Sequence, residues 1–168
     1  MPPTPTAAAM PASGTPQAAI RRATVADLSA LVQLEHATFE HDRLSARQWH
    51  RHLYSDSAVV LVAARGRELA GAAVLFFRSG SRVARLYSIA TVASARGEGI
   101  GTRLLGACER VALRRRCDRL RLEVRQDNLA AQGLYERHGY RRIAEVESYY
   151  EDGADAWRYE KALTQGGP

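Results

Sequence analysis

Apolar and polar positions along this chain follow two different rhythms, and the switches between them mark out its elements. Runs rich in β-branched, aliphatic and aromatic residues at 58–64, 69–77 and 83–91 read as strands; Arg65-Gly66-Arg67-Glu68 joins the first two and Gly80-Ser81 turns the chain into the third. From Ile100 the period lengthens. Ile100, Leu104, Cys108 and Val111 recur at helical spacing and predict a helix to about Arg116. Upstream, 18–22 predicts a first strand. Thr24, with Asp27 as the third helical residue, forms a capping-box-like pair that opens a helix through about Phe39, and a second helix begins after Ser45. Downstream, 120–124 reads as a strand, 129–138 as a helix, and two final strands fall near 140–149 and 156–163. The order β, α, α, β, β, β, α, β, α, β, β predicts one mixed α/β domain over 18–164, its sheet mostly antiparallel and covered by helices on both faces.

Composition narrows the class. The chain has 168 residues, 46% of them hydrophobic, without a run long enough to span a membrane, so one soluble domain with a real core is expected. Residues 1–17 are rich in Pro, Ala and Thr and lack both the basic and the apolar region of a signal peptide. They read as a disordered tail, 165–168 as a second short tail, and the protein as cytoplasmic. Cys108 and Cys117 lie nine residues apart along one helical rod, too far to bridge, and read as reduced structural thiols. The five histidines show no metal-ligand spacing, so no metal is expected, and Trp49 and Trp157 read as packing residues.

The net charge is +6, and between Arg96 and Arg125 nine arginines face four acids. Most of this excess is expected beside the 96–102 segment, where it draws a phosphorylated ligand or forms a solvated helix face. No aromatic residues interleave with it, which argues against nucleic acid.

The segment most loaded with chemistry is Arg96-Gly97-Glu98-Gly99-Ile100-Gly101-Thr102, set between the 83–91 strand and the helix after it. At a helix N-terminus several backbone N–H groups lack intrahelical acceptors, the dipole adds positive character, and glycines let the backbone approach an anion. The Gly-x-Gly-x-Gly spacing is neither the dinucleotide fingerprint nor a P-loop, and the glycines alone would also suit a plain strand-to-helix turn.

Taken with Ile89-Ala90-Thr91 before it, this stretch resembles the acyl-CoA-binding motif of the GCN5-related N-acetyltransferases. Leu122-Glu123-Val124-Arg125, Asn128, Gly133-Leu134-Tyr135-Glu136 and Gly139-Tyr140 are similar to the second half of that family's signature, and Tyr149-Tyr150 to the end of its RimI-like branch, the ribosomal-protein alanine N-acetyltransferases. The resemblance covers nearly all of 20–163, with Ala93 standing where the family often has proline and Thr91 where it has an aliphatic residue. It implies a sheet splayed at an acetyl-CoA site. It assigns 89–91 and 96–102 to pantetheine and pyrophosphate, Asn128 to the cofactor, and Tyr149 and Tyr150 to the substrate side.

Transfer of an acetyl group from a thioester to an amine needs a neutral amine, a polarised carbonyl and a protonated leaving thiolate. Alternation along Leu120, Leu122 and Val124 puts Glu123 on the opposite strand face, where it is the candidate base; an ion pair with Arg121 or Arg125 would also explain it. Tyr135, seven residues after Asn128 and on the same helix face, is the candidate acid, while Asn128 also suits a helix cap. On a strand, Tyr149 and Tyr150 would face opposite ways, so at most one would line the site. With the resemblance, these residues point to an acetyl-CoA-dependent N-acetyltransferase acting on a protein or peptide amine, an N-terminal one in first place, and six acids against one base between Glu145 and Glu160 predict that a cationic acceptor approaches there. A small-molecule amine or lysine acetyltransferase and a non-catalytic acyl-CoA-binding module are the alternatives, and oligomeric state is left open.

Overall fold

A computed structural model describes residues 16–165. Its elements are β1 (Ala19–Arg22), α1 (Leu28–Thr38), α2 (Ala46–Tyr54), β2 (Ala58–Arg65), β3 (Glu68–Phe76), β4 (Val83–Thr91), α3 (Ile100–Arg114), β5 (Arg119–Arg125), α4 (Leu129–Arg137), β6 (Arg141–Val146) and β7 (Ala156–Ala162). They form one seven-stranded sheet in the order β1-β2-β3-β4-β5-β7-β6. Every neighbouring pair is antiparallel except β4 and β5, which run parallel with α3 as their crossover. Of the tails expected at the ends, residues 1–15 and 166–168 lie outside the described residues.

The apolar run of β2 divides between two cores, as a strand covered on both faces must. Val59, Leu61 and Ala63 join Leu104, Cys108, Leu122 and Tyr135 under α3 and α4, while Val60, Val62 and Ala64 join Leu31, Leu34 and Trp49 under α1 and α2. Gly71 on β3 fixes where α3 begins. A Cβ there would stand 2.7 Å from the Ala90 carbonyl and 3.0 Å from both Ile100 and Leu104, so only glycine lets the first turns of α3 seat on the sheet.

The predicted caps form with local differences. Ser45 accepts from the Gln48 N–H at 3.1 Å, and Gln48 returns the bond to the Ser45 N–H at 2.8 Å. At the start of α1, Val25–Asp27 form a 3₁₀ turn instead of the first α turn. There Asp27 accepts from the Thr24 N–H at 2.8 Å while taking both guanidinium nitrogens of Arg21 at 2.8 and 2.9 Å.

The feature that shapes the site is the partial pairing of β4 with β5. The two strands pair only from Val83↔Arg119 to Leu86↔Leu122. On its other edge β4 stays paired to β3, but Val74↔Ser88 is followed by Leu75↔Leu86, which leaves Tyr87 as a bulged residue without a partner. A bulge bends and further twists its strand. From Tyr87 onward β4 therefore follows β3 and parts from β5, and the sheet opens between Ser88–Thr91 and Glu123–Arg125.

Candidate active site

The glycine segment sits at the upper end of this opening. Gly97 and Gly99 adopt φ of +84° and +75°, conformations that side-chain-bearing residues rarely take, and Gly99 is the N-cap of α3. The chain thus turns sharply from β4 and aims the first-turn N–H groups of Ile100, Gly101 and Thr102 outward, without acceptors inside the helix. Gly101 lies close to both neighbours of the opening, its would-be Cβ 3.6 Å from Leu134 on α4 and 3.9 Å from the Thr91 hydroxyl. Free N–H groups, a helix dipole and a glycine backbone suit a pyrophosphate.

On the β5 side, Glu123 points to the α1/α2 face, as the alternation required, with its side chain only 4% exposed. Its Oε1 accepts from Arg158 Nε at 3.0 Å and its Oε2 lies 3.1 Å from Arg85 Nη2. The ion pair that sequence allowed is present with different partners. Arg121 turns to Glu160 at 2.6 Å and Arg125 to Asp152 at 2.7 Å, because their carboxylates stand on neighbouring β7 and on the turn before it. Each oxygen of Glu123 meets one guanidinium, which leaves each a lone pair for a water or for the amine itself.

Tyr135 is buried on α4, its ring 5.7 Å from that of Tyr140 and 6.4 Å from that of Tyr159. Burial first, and the nearby Cys108 and Tyr150 second, push its phenol well above the ordinary tyrosine range, so it remains protonated at any working pH. Asn128 is the N-cap of α4, its side-chain oxygen accepting from the Ala131 N–H at 3.1 Å. It is exposed while Tyr135 is buried.

Tyr149 and Tyr150 depart from expectation. β6 ends at Val146, and the chain turns through Ser148 at φ +49° and Gly153 at φ +83°, so the tyrosines lie in a turn and the alternation of a strand does not apply. Their rings meet edge to face at 4.9 Å. The Tyr149 hydroxyl accepts from Arg85, the residue that also holds Glu123, and Arg125 stacks on Tyr150 at 5.0 Å. Both tyrosines thus stand at the opening.

Residues 28–140 match the Acetyltransferase (GNAT) family. The chain belongs to that family. It is 41% identical over 71 residues to the N-alpha-acetyltransferase 30 of Schizosaccharomyces pombe, a match covering 42% of this chain and 47% of the relative, so the chain spans about half that protein's length. To a Bacillus subtilis protein provisionally named ribosomal protein bS18-alanine N-acetyltransferase it is 28% identical over 141 residues, 83% of this chain and 92% of the other. Among solved structures, the Escherichia coli ribosomal-protein-S18-alanine N-acetyltransferase superposes with a TM-score of 0.77 at 24% identity, over 89% of this chain and 96% of that one. The GNAT fold, with its mostly antiparallel sheet opened beside a parallel pair, is the fold the sequence predicts.

Three residues at the opening of this GNAT domain were not singled out by sequence. Arg85 and Arg158 hold Glu123; the signal for Arg85 was a charged residue set into an otherwise apolar strand, while Arg158, on a strand that also carries Glu160 and Lys161, had none. Tyr87, the bulged residue, packs against Phe76 at 5.0 Å. Burial, then the carboxylates of Glu35 and Asp42, push its phenol up. Glu35 itself is buried, accepts from the Leu44 N–H at 2.9 Å and so ties the α1–α2 loop down, and burial raises its carboxyl.

Two charge expectations are corrected. The arginines of α3 do not gather at the cradle: at about 1.5 Å per residue, Arg114 lies about 21 Å along the helix from Ile100. Arg110, Arg114 and Arg115 instead line a groove of about 430 Å³ with Arg21 and Arg22 at the far end. The acids of 145–160 are largely committed as well. Glu160 pairs with Arg119 and Arg121, Asp152 with Arg125, Glu145 accepts from Gln126, and Asp155 from the Ser148 N–H. Among the described residues no group of three or more His, Cys, Asp or Glu is placed to hold a metal ion, and no helix is long and apolar enough to cross a membrane.

Proposed function

We propose that this chain is an acetyl-CoA-dependent N-acetyltransferase that passes acetyl directly to a primary amine, the α-amine of a protein or peptide. The observation that carries it is the parting of β4 from β5, with Glu123 buried at its base and the N–H groups of the 96–102 cradle above. Acetyl-CoA would supply the activated thioester. Ile89, Ala90 and Thr91 offer it a strand edge without a β5 partner, and the cradle with Asn128 offers donors to its phosphates and arm.

The acceptor enters from the other face, past Tyr149 and Tyr150. Glu123, acting through water, takes up the ammonium proton, and Tyr135 donates to the departing sulfur. The apolar surroundings that keep the Tyr135 phenol neutral also make a thiolate costly there, so the proton moves to sulfur as its charge develops. Direct transfer fits the cysteines: burial pushes the Cys108 thiol up to about 12, where no thiolate nucleophile exists at neutral pH.

An α-amine suits a carboxylate whose oxygens each meet a guanidinium. At pH 7, deprotonating an amine of pKa about 7.8 costs about 1 kcal/mol, against about 4.6 kcal/mol for a lysine of pKa about 10.4. Similarity to proteins named for N-terminal and ribosomal-protein alanine acetylation supports the same acceptor.

Mass spectrometry of peptides and polyamines incubated with the protein and acetyl-CoA tests the reading. Acetylated peptide N-termini support it. Spermidine acetylated ahead of every peptide makes this a small-molecule enzyme, and binding without transfer to any acceptor makes it a binding module.

A further inference from the structure

Glu98 poses a problem for the cradle. It sits between Gly97 and Gly99, the two left-handed glycines, so a carboxylate occupies the middle of a loop read here as surrounding a pyrophosphate. Left uncompensated, that charge opposes the ligand. It is compensated by Arg65, the last residue of β2, whose Nη2 meets Glu98 Oε2 at 2.6 Å. The same guanidinium donates from Nε to the Pro16 carbonyl at 2.8 Å, so one side chain joins the segment before β1, the β2–β3 hairpin and the cradle.

Little else restrains the loop on this side. Its backbone bonds are short-range turns, Arg96 N–H to the Ala93 carbonyl and Glu98 N–H to the Ala95 carbonyl, both at 3.3 Å. Cβ atoms at Gly97 or Gly99 would meet nothing within 4 Å. Beside Arg65 runs an open groove of about 380 Å³ between α1 and β3, lined by Leu34, Ala37, Arg67, Leu69, Val92 and Ser94 and by no residue of the loop.

We infer that Arg65 is a positioning residue for acyl-CoA: it holds the Glu98 carboxylate in an ion pair and so keeps that charge from opposing the phosphates in the cradle. This rests on the cradle reading above. As a contribution to folding, a half-exposed ion pair is worth little. Its consequence is affinity for a polyanion beside it.

Calorimetric titration of acetyl-CoA into the full chain and its variants tests this, with a thermal melt of each variant beside it. Arg65→Met is expected to weaken binding about ten-fold at low salt, the order set by uncovering one charge near a polyanion, and the defect shrinks as salt screens it. Glu98→Gln uncovers the Arg65 charge instead and is expected to bind more tightly than wild type at low salt, and the double variant Arg65→Met/Glu98→Gln to recover most of the loss, because no bare carboxylate remains. Arg65→Met binding like wild type, or the double variant binding as weakly as Arg65→Met, overturns the inference. Gly99→Glu separates this failure from failure of the cradle. If Gly99→Glu binds acetyl-CoA as wild type does, the cradle reading falls and the role of Arg65 with it; if it abolishes binding while Arg65→Met is silent, only the role of Arg65 falls.

Discussion

Glu123 on β5 and Arg158 on β7 stand opposite each other in the ladder, and Arg158 Nε donates to the buried carboxylate at 3.0 Å. Arg85 closes on the other oxygen from β4. The carboxylate therefore joins three strands at the point where the sheet opens, so its structural and proton-accepting roles must be separated experimentally. Glu123→Gln keeps the shape and removes the charge. It is expected to lower turnover by about 10² to 10⁴ with acetyl-CoA affinity nearly unchanged. Arg158→Met leaves the carboxylate one partner and should cost about 1–3 kcal/mol in a urea melt. Full turnover by Glu123→Gln together with a lowered melting temperature would reduce Glu123 to a strand clamp.

Tyr135→Phe is expected to slow release of CoA by about 10²-fold while leaving the fold intact, since the ring keeps its contacts with Tyr140 and Tyr159. Because burial raises this phenol, its protonated form persists as pH rises. The wild-type pH–rate profile should thus show no fall below pH 9 due to this group. Such a fall that disappears in Tyr135→Phe would contradict the assignment.

Much of this arrangement was legible in local pattern. The helical spacing from Ile100, the glycine turn before it and the alternation that sends Glu123 away from Leu122 and Val124 all depend on neighbours within a few residues. What was not legible depends on residues far apart. β7 inserts between β5 and β6, which brings Arg158 to Glu123 and Glu160 to Arg121. The bulge at Tyr87 appears only in the register with β3. Tyr149 and Tyr150 read as strand because aromatic residues favour strands, but Ser148 and Gly153 take left-handed conformations, and Arg125 holds Asp152 across the resulting turn.

The thiols give a prediction independent of catalysis. Cys108 and Cys117 are both buried and unpaired, and burial raises both thiols. At pH 8 a thiol-reactive dye should label neither quickly in the native chain and both after unfolding in urea, matching the two cysteines of the sequence. Rapid labelling of Cys108 in the native state would overturn its placement.

Acid stability follows from two aspartates. Hydrogen bonding from Arg21 lowers Asp27, and hydrogen bonding from Arg125 lowers Asp152 to about 2. A lowered folded value means that the unfolded chain binds the proton first. The stabilisation is therefore complete above the ordinary aspartate value of about 3.9 and is lost as pH falls below it. Thermal melts from pH 6 to pH 2 should show the decline setting in below about pH 4 and reduced in Asp152→Asn. Equal slopes in the variant and wild type would remove Asp152 from the account.

Acetyl-CoA at 100 times its dissociation constant should stabilise the fold by about 2.7 kcal/mol, and Gly99→Glu should abolish that gain by placing bulk and negative charge in the cradle. An unchanged melting shift in Gly99→Glu would contradict phosphate binding at α3.

The central claim is acetyl transfer to an α-amine, and the most direct measurement is a competition at pH 7. A peptide with a free N-terminus and no lysine is mixed with its N-blocked, lysine-bearing counterpart, acetyl-CoA and the protein, and the two products are followed together by mass spectrometry. The free N-terminus is expected to be acetylated faster, and that advantage to be lost in Glu123→Gln. Faster acetylation of the blocked, lysine-bearing peptide would contradict the claim.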